Sequence, residues 1–239
     1  MQNFKSILLV LCLYPSISLA KNFGMSLGGF FSSQSVFRGA QTWPKPSMMA
    51  GPSFTFFEKV SLKGPSLTYS FLDKKSPFSI EAGVHLLSDG KPLISLGSHD
   101  EDYRNQRSST FEFQTKFSFK FRGFSAGLML AKDLDETKAL YSELNFGIPA
   151  YIKFLSLEYL IGIGEKGANQ YSYGPSAVSG VGWQQFSLSY LMINLPWDGV
   201  IINSASYSKV LQDENKTADY IRSNEGNFVF RTILVWNLL

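Results

Sequence analysis

The sequence predicts an all-β protein: a closed antiparallel transmembrane β-barrel of about twelve strands, with ten the other even count. Three observations point to it. First, Ser109 to Arg122 places Phe111, Phe113, Phe117, Phe119 and Phe121 on one parity and Glu112, Gln114, Lys116, Ser118, Lys120 and Arg122 on the other. A period of 2 sorts rings and charges onto opposite faces of a strand. Second, segments of about ten residues with the same alternation recur along the chain, the length a tilted strand needs to cross a hydrocarbon core. Third, aromatics reach 15% and charged residues only 17%, while no apolar run past the leader is long enough for a transmembrane helix. Low charge spread at period 2 is the mark of a membrane barrel.

Residues 1–20 read as a secretory signal peptide. Lys5 supplies the positive n-region, Ile7 to Leu13 the apolar core, and Ser18-Leu19-Ala20 the small residues before a cut near Ala20-Lys21. The domain that follows, 21–239, is read as an outer-membrane barrel. Cys12, the only cysteine, leaves with the leader, so the mature chain is expected to hold no disulfide and no Cys-based metal site. Leu11 is too bulky beside Cys12 for a lipidation site. Lys and Arg number 22 against 19 Asp and Glu, a balance without a basic run that argues against nucleic acid as a partner.

Asn22 to Ser32 is a Gly-rich first strand. Gln34 to Pro46 reads as a loop, its prolines excluding it from a ladder. Met48 to Phe57 and Val60 to Leu72 form a hairpin about Glu58-Lys59. Asp73 to Pro77 turns the chain into Phe78 to Leu86, where Phe78, Ile80, Ala82, Val84 and Leu86 oppose Glu81 and His85. Ser88 to Arg107 is a long polar loop. The Phe-rich strand follows, then a tight Arg122-Gly123 turn into Phe124 to Leu130. Leu140 to Ile148 sets Leu140, Leu144, Phe146 and Ile148 against Tyr141, Glu143 and Asn145. Ile152 to Ile163 sets Leu155, Leu157, Tyr159, Ile161 and Ile163 against Ser156 and Glu158. Gly164 to Gly182 is rich in Gly and Ser, and no amphipathic helix stands out. Phe186 to Ile193, Val200 to Val210 and Asn227 to Leu238 complete eleven segments. Single-chain bacterial barrels carry even numbers. A further strand within Gln170 to Ser179 or Pro92 to Leu96 gives twelve, and demoting the first segment gives ten.

A soluble β-sandwich also alternates. Against it, nearly every segment carries four or five large apolar residues on one parity, more than sheet edges tolerate in water, whereas a closed barrel in lipid accepts them. The opposite parity then supplies lumen-facing candidates: Glu81, His85, Glu112, Gln114, Lys116, Lys120, Glu143 and Glu158. Trp183, Trp197 and Trp236 near segment ends suit interfacial girdles.

Motifs for chemistry are sparse. His99-Asp100-Glu101-Asp102 reads as a solvated loop rather than a metal site. Ser98 beside His99 is not a triad, because triads converge in space rather than in sequence. No serine lies in a G-x-S-x-G turn, and Gly162-x-Gly164 lacks the context of a phosphate loop. No catalytic, cofactor-binding or metal-binding residue is assigned, and no enzyme activity is expected.

The Gly-rich first strand, Phe37-Arg38-Gly39, and the run Gly64-Pro65-Ser66-Leu67-Thr68-Tyr69 resemble the opening of MipA/OmpV-family outer-membrane proteins. Asn169-Gln170-Tyr171-Ser172-Tyr173-Gly174 followed by Ser179-Gly180 is similar to that family's tyrosine-rich segment, so Tyr171, Tyr173, Gly174, Ser179 and Gly180 form the family-like motif. The closing hairpin through Ser206-Tyr207-Ser208-Lys209-Val210-Leu211 is similar too. The resemblance implies a barrel in outer-membrane lipid with no catalytic residues, in one member class a scaffold that brings a murein hydrolase near a murein synthase. The expectation is therefore a non-enzymatic scaffold binding a murein-remodelling partner. A narrow porin-like channel for small solutes is the alternative; a barrel of this size lies between small filled barrels and open porins, where charge pairing across the lumen can plug it.

Overall fold

The computed structural model describes residues 23–73, 76–87, 94–95, 108–149, 154–195, 199–218, 220 and 226–238. The leader, Trp197 and the His99 loop lie outside the described residues.

The chain opens with β1 (Phe23–Ser32), a small hairpin of β2 (Ser35–Phe37) and β3 (Ala40–Trp43), then β4 (Ser47–Phe56). Next come β5 (Val60–Lys63), β6 (Ser66–Ser70), β7 (Phe78–Leu87) and the two-residue β8 (Ile94–Ser95). The long hairpins are β9 (Thr110–Phe121) with β10 (Phe124–Asp133), and β11 (Leu140–Pro149) with β12 (Leu155–Gly164). Helix α1 (Lys166–Tyr173) leads into β13 (Gly180–Leu195) and β14 (Gly199–Val210); helix α2 (Asp213–Lys216) precedes β15 (Asn227–Asn237). Each barrel strand pairs antiparallel with its neighbours, and β1 closes the ring by pairing with β15 on one side and β4 on the other. The result is a closed barrel of twelve strands. Closure removes the two-sheet arrangement of a sandwich.

Alternation alone reads Val60 to Leu72 as one strand, but the chain reverses at Gly64-Pro65, with Lys63 opposite Ser66 and Gly64 at φ 55. Glycine accepts that dihedral and Pro65 has no N–H to give a ladder. This hairpin supplies the twelfth strand. Gln170 to Ser179 is instead the end of α1 and a turn, β8 adds only two residues against the loop end of β4, and the first segment is a full barrel strand, so ten is excluded. The helix α1 and the hairpin β2–β3 also correct the reading of their segments as plain loops.

Connections at one end are short: Phe57 to Lys59 between β4 and β5, and Arg122-Gly123, with φ 47 and 88, joining Phe121 to its partner Phe124. Two residues with positive φ make the turn whose twist suits a hairpin. The first and last strands also begin and end here. The other end carries the long connections, including β2–β3, α1 and α2. The outward parity is apolar, and Phe111, Phe113, Phe117 and Phe121 remain 40–53% exposed. The inward parity holds Glu81 opposite Lys116, His85 opposite Glu112, Gln114 opposite Ala131, Lys120 opposite Ser125, Glu143 opposite Gly162, and Glu158 opposite Ser187.

Candidate functional site

The site grows from a two-residue turn. Phe37 pairs with Ala40, and between them Arg38 and Gly39 sit at φ 48 and 81. The first long connection thus folds back as a tight hairpin, and its tip enters the lumen. A Cβ on Gly39 would lie 2.6 Å from Trp183 Cβ, so only glycine permits this approach as well as this dihedral.

At the tip, Arg38 Nη2 donates to Glu112 Oε1 at 2.5 Å, and Arg38 Nη1 to Ser172 Oγ at 3.4 Å. Glu112 is completed by Gln114 Nε2 donating to Oε2 at 3.0 Å. The guanidinium lies 3.7 Å from the Tyr141 ring centroid and 4.8 Å from that of Phe37, a face-on geometry that favours a cation. Burial works against the Arg38 charge. Glu112, followed by the Tyr141 hydroxyl, outweighs it and holds the pKa above the ordinary arginine value. Tyr141 accepts a hydrogen bond from Trp183 Nε1 at 2.8 Å and donates to Glu143 Oε2 at 3.2 Å. Trp183 lies over Gly162, which leaves no room there for a side chain.

The hairpin's backbone is tied down as firmly as its side chain. Tyr173 donates to the Arg38 carbonyl and Asn227 Nδ2 to the Gly39 carbonyl, each at 2.9 Å. Around the tip, Ala40, Tyr173, Ala177, Val210 and Ala218 form one buried apolar cluster, and Ala131, Ala139, Tyr141 and Ala168 another. Helix α1 packs above them. Asn169 donates to the Gly164 and Val178 carbonyls, and Tyr171 donates to the Ser108 carbonyl. Helix α2 contributes Asn215, which is fully buried, accepts from Val178 N and donates to Gln212 Oε1. Most polar groups taken out of water here are matched to partners, as burial demands; the Ser208 hydroxyl, opposite Asn227, is buried without one.

The packing is confined to the loop end. Along β9 the inward residues Thr110, Glu112 and Gln114 are buried, whereas Lys116 and Lys120 are exposed. On β12, Gly162 and Gly164 are buried, but Ser156 and Glu158 are exposed. The eight inward candidates therefore divide. Glu112, Gln114 and Glu143 join the plug; Lys116, Lys120 and Glu158 line the open half; Glu81 and His85 lie half-buried on β7, where His85 Nδ1 meets Ser66 Oγ at 2.9 Å. The family-like residues also belong to the plug: Tyr171 and Tyr173 on α1, Gly174 at its C-cap with φ 123, and Ser179, whose carbonyl accepts from Gln212, beside Gly180 at φ 127. Among the described residues no three His, Cys, Asp or Glu gather as metal ligands.

Trp183 is the clearest correction to the sequence reading. It faces inward, is 5% exposed and serves the plug, not an interfacial girdle; Trp236 keeps the outward parity, opposite Leu27. Arg38, Tyr173, Asn169, Asn215 and Asn227 carry the plug without having been assigned to it. One signal was present for Arg38, since Phe37-Arg38-Gly39 repeats the Phe121-Arg122-Gly123 turn.

No protein-family model matches the chain, and no curated protein matches it. Among solved structures, Pseudomonas aeruginosa OccK11 (OpdR) is similar at 10% identity and a TM-score of 0.37, over 91% of this chain and 66% of that one. Salmonella typhi OmpF in complex with daunomycin is similar at 8% identity and a TM-score of 0.37, over 91% of this chain and 98% of that one. The chain thus spans about two thirds of the OccK11 chain. The barrel assignment rests on the strand pairing itself.

Proposed function

We propose that this chain is a non-enzymatic barrel of the bacterial outer membrane whose first loop holds its lumen shut from the loop side. The observation that carries the closure is Arg38, seated in the lumen on Glu112 and Tyr141 with both carbonyls of its turn bonded to the barrel and α1. The membrane reading is supported by an outward face of exposed large apolar residues, mostly Phe, Leu and Ile, on every long strand but β14, more apolar surface than a soluble monomer shows and what acyl chains accept. Short turns at one end and long connections at the other match the periplasmic and extracellular ends of such barrels.

The MipA/OmpV resemblance supplies the partner class, a murein hydrolase or synthase, which meets the barrel at its periplasmic turn end. Pull-down of a murein hydrolase by the purified barrel is the expected outcome, and its absence removes the scaffold role while leaving the closure intact. The second reading is a narrow channel gated by the hairpin, favoured by the exposed Lys116, Lys120 and Glu158 in the turn-end half of the lumen. Planar bilayers separate the two. The wild-type barrel is expected to give no stepwise current, and sustained steps from it would overturn the closure.

A further inference from the structure

Below the plug the lumen is not uniformly polar. On β14 and β15 both parities are apolar: Val200 and Ile202 face inward beside Val235 and Ile233, while Ile201 and Leu234 face outward. Phe30 on β1, opposite Ile233, and Leu191 on β13, opposite Ile202, extend the inward patch across four strands. All six are only partly buried. The facing wall of β7 and β9 carries Glu81, Lys116 and Lys120 on the same inward parity, while Glu158 on β12 flanks the patch beside β13. One side of the cavity is therefore oily and the other charged.

At the upper edge of the oily wall stands Arg231. It is inward, in register with the buried Ser32, and its guanidinium lies 5.5 Å from the Phe30 ring centroid. Its Nε is shielded from solvent yet has no hydrogen-bond partner, and among the described residues it makes no ion pair. The contrast with Arg38, whose charge is matched within the plug, is direct. An Nε shielded from solvent without an acceptor, on a side chain only partly buried, is an unmet demand for a hydrogen-bond acceptor, and a guanidinium favours an anionic one.

From these two features we propose that the lumen binds a single-chain anionic amphiphile, its carboxylate or phosphate head on Arg231 and its acyl chain along Phe30, Ile233, Ile202, Val235, Val200 and Leu191. The chain length follows from the wall. From Arg231 to Val235 the strand runs roughly 13 Å, which suits an acyl chain of about ten carbons or more and leaves a short-chain acid mostly unsupported. Burying that wall against a chain removes apolar surface from a hydrated cavity, which is the driving force, and the head supplies direction and selectivity. The inference goes beyond the closed-lumen reading. It needs the inner face, not the closure, and retention and conductance are separate readouts.

The test is equilibrium retention of radiolabelled palmitate by the barrel in nanodiscs, with empty nanodiscs subtracted. Saturable retention near one per barrel is expected. Arg231→Gln should weaken it about tenfold or more, as loss of a charged hydrogen bond does, and Arg231→Lys should largely restore it. Ile202→Ser should weaken it with Arg231 intact, and the outward control Leu234→Ala should leave it unchanged. Hexadecanol and inorganic phosphate, which supply chain or charge alone, should bind poorly. Lysophosphatidate with the same acyl chain distinguishes the sources: tighter retention than palmitate assigns a lipid phosphate head, weaker retention a free carboxylate. Heat-modifiable migration of each variant verifies that it is folded. No saturable retention, or equal retention of palmitate by Arg231→Gln and of hexadecanol by the wild type, overturns the proposal.

Discussion

The molecule contains the same turn twice. Phe37-Arg38-Gly39 and Phe121-Arg122-Gly123 share their sequence, and their Arg and Gly residues adopt nearly the same dihedrals, φ 48 and 81 in one and 47 and 88 in the other. Their surroundings are opposite. Arg122 caps the β9–β10 hairpin at the turn end, exposed, 5.2 Å from the centroid of its neighbouring Phe121 ring. Arg38 lies in the lumen, 9% exposed, bonded to Glu112 on β9 itself. Local sequence therefore specifies the reversal of the chain in both places, and the barrel around it decides whether the arginine is a solvated tip or a latch.

The sharpest way to break the comparison is to remove the buried arginine. Arg38→Ala leaves Glu112 shielded and uncompensated, a loss of roughly 3–5 kcal/mol for a buried pair broken from one side. The measured outcome should be a lower temperature for the heat-modifiable band shift, together with stepwise current in planar bilayers as the hairpin leaves the lumen. Arg38→Ala with Glu112→Ala should recover part of the stability, because no lone charge remains, while the current persists. Stability without current would mean that the helices α1 and α2 close the barrel unaided.

How much of this was legible in the sequence depends on whether the signal was local. The inward and outward parities of β7, β9, β11 and β12 could be read because period 2 is a property of single strands. The Gly64-Pro65 reversal was just as local, but it sits inside a continuous alternating run, and turning there preserves the alternation on both sides. The plug could not be read in the same way. Arg38 and Glu112 are separated by 74 residues and Gly39 and Asn227 by 188, and only closure of the ring brings them together. Trp183 shows the limit most clearly: its place near a strand end suits a girdle equally well, and it is the glycine at 162 on the neighbouring strand that makes room for it inside. The apolar triplets Val200-Ile201-Ile202 and Ile233-Leu234-Val235 stand in the sequence as unbroken runs, the form of a strand apolar on both faces.

The two glycines sharpen the comparison at the level of the backbone. Gly39→Ala and Gly123→Ala both force a side chain into the left-handed region, at about 1–2 kcal/mol each. Each new Cβ also meets a neighbour, Trp183 Cβ at 2.6 Å in one case and Pro149 Cγ at 2.7 Å in the other. The β9–β10 turn is exposed and has water to relax into. The lumen tip is enclosed by Trp183, Tyr173 and Asn227, so Gly39→Ala should lose roughly a further 1–3 kcal/mol through overpacking. Thermal shifts of the two variants on the same gel measure the difference. Equal shifts would mean that the hairpin tip moves as freely as a surface turn.

The smallest expected effect belongs to Arg122→Ala, and it carries the control for all the others. Arg122 makes a cation–π contact with Phe121 at an exposed position, a contact worth roughly 0.5–1 kcal/mol at such a site. Its removal leaves no buried charge behind and does not change the Gly123 dihedral. The band-shift temperature should therefore move only slightly, and the bilayer record should stay silent. A loss matching that of Arg38→Ala would place the energy of both arginines in the turn they share, not in the partners that only Arg38 has. The latch would then be no more than a copy of an ordinary hairpin, and the closure would have to be sought in α1 and its tyrosines.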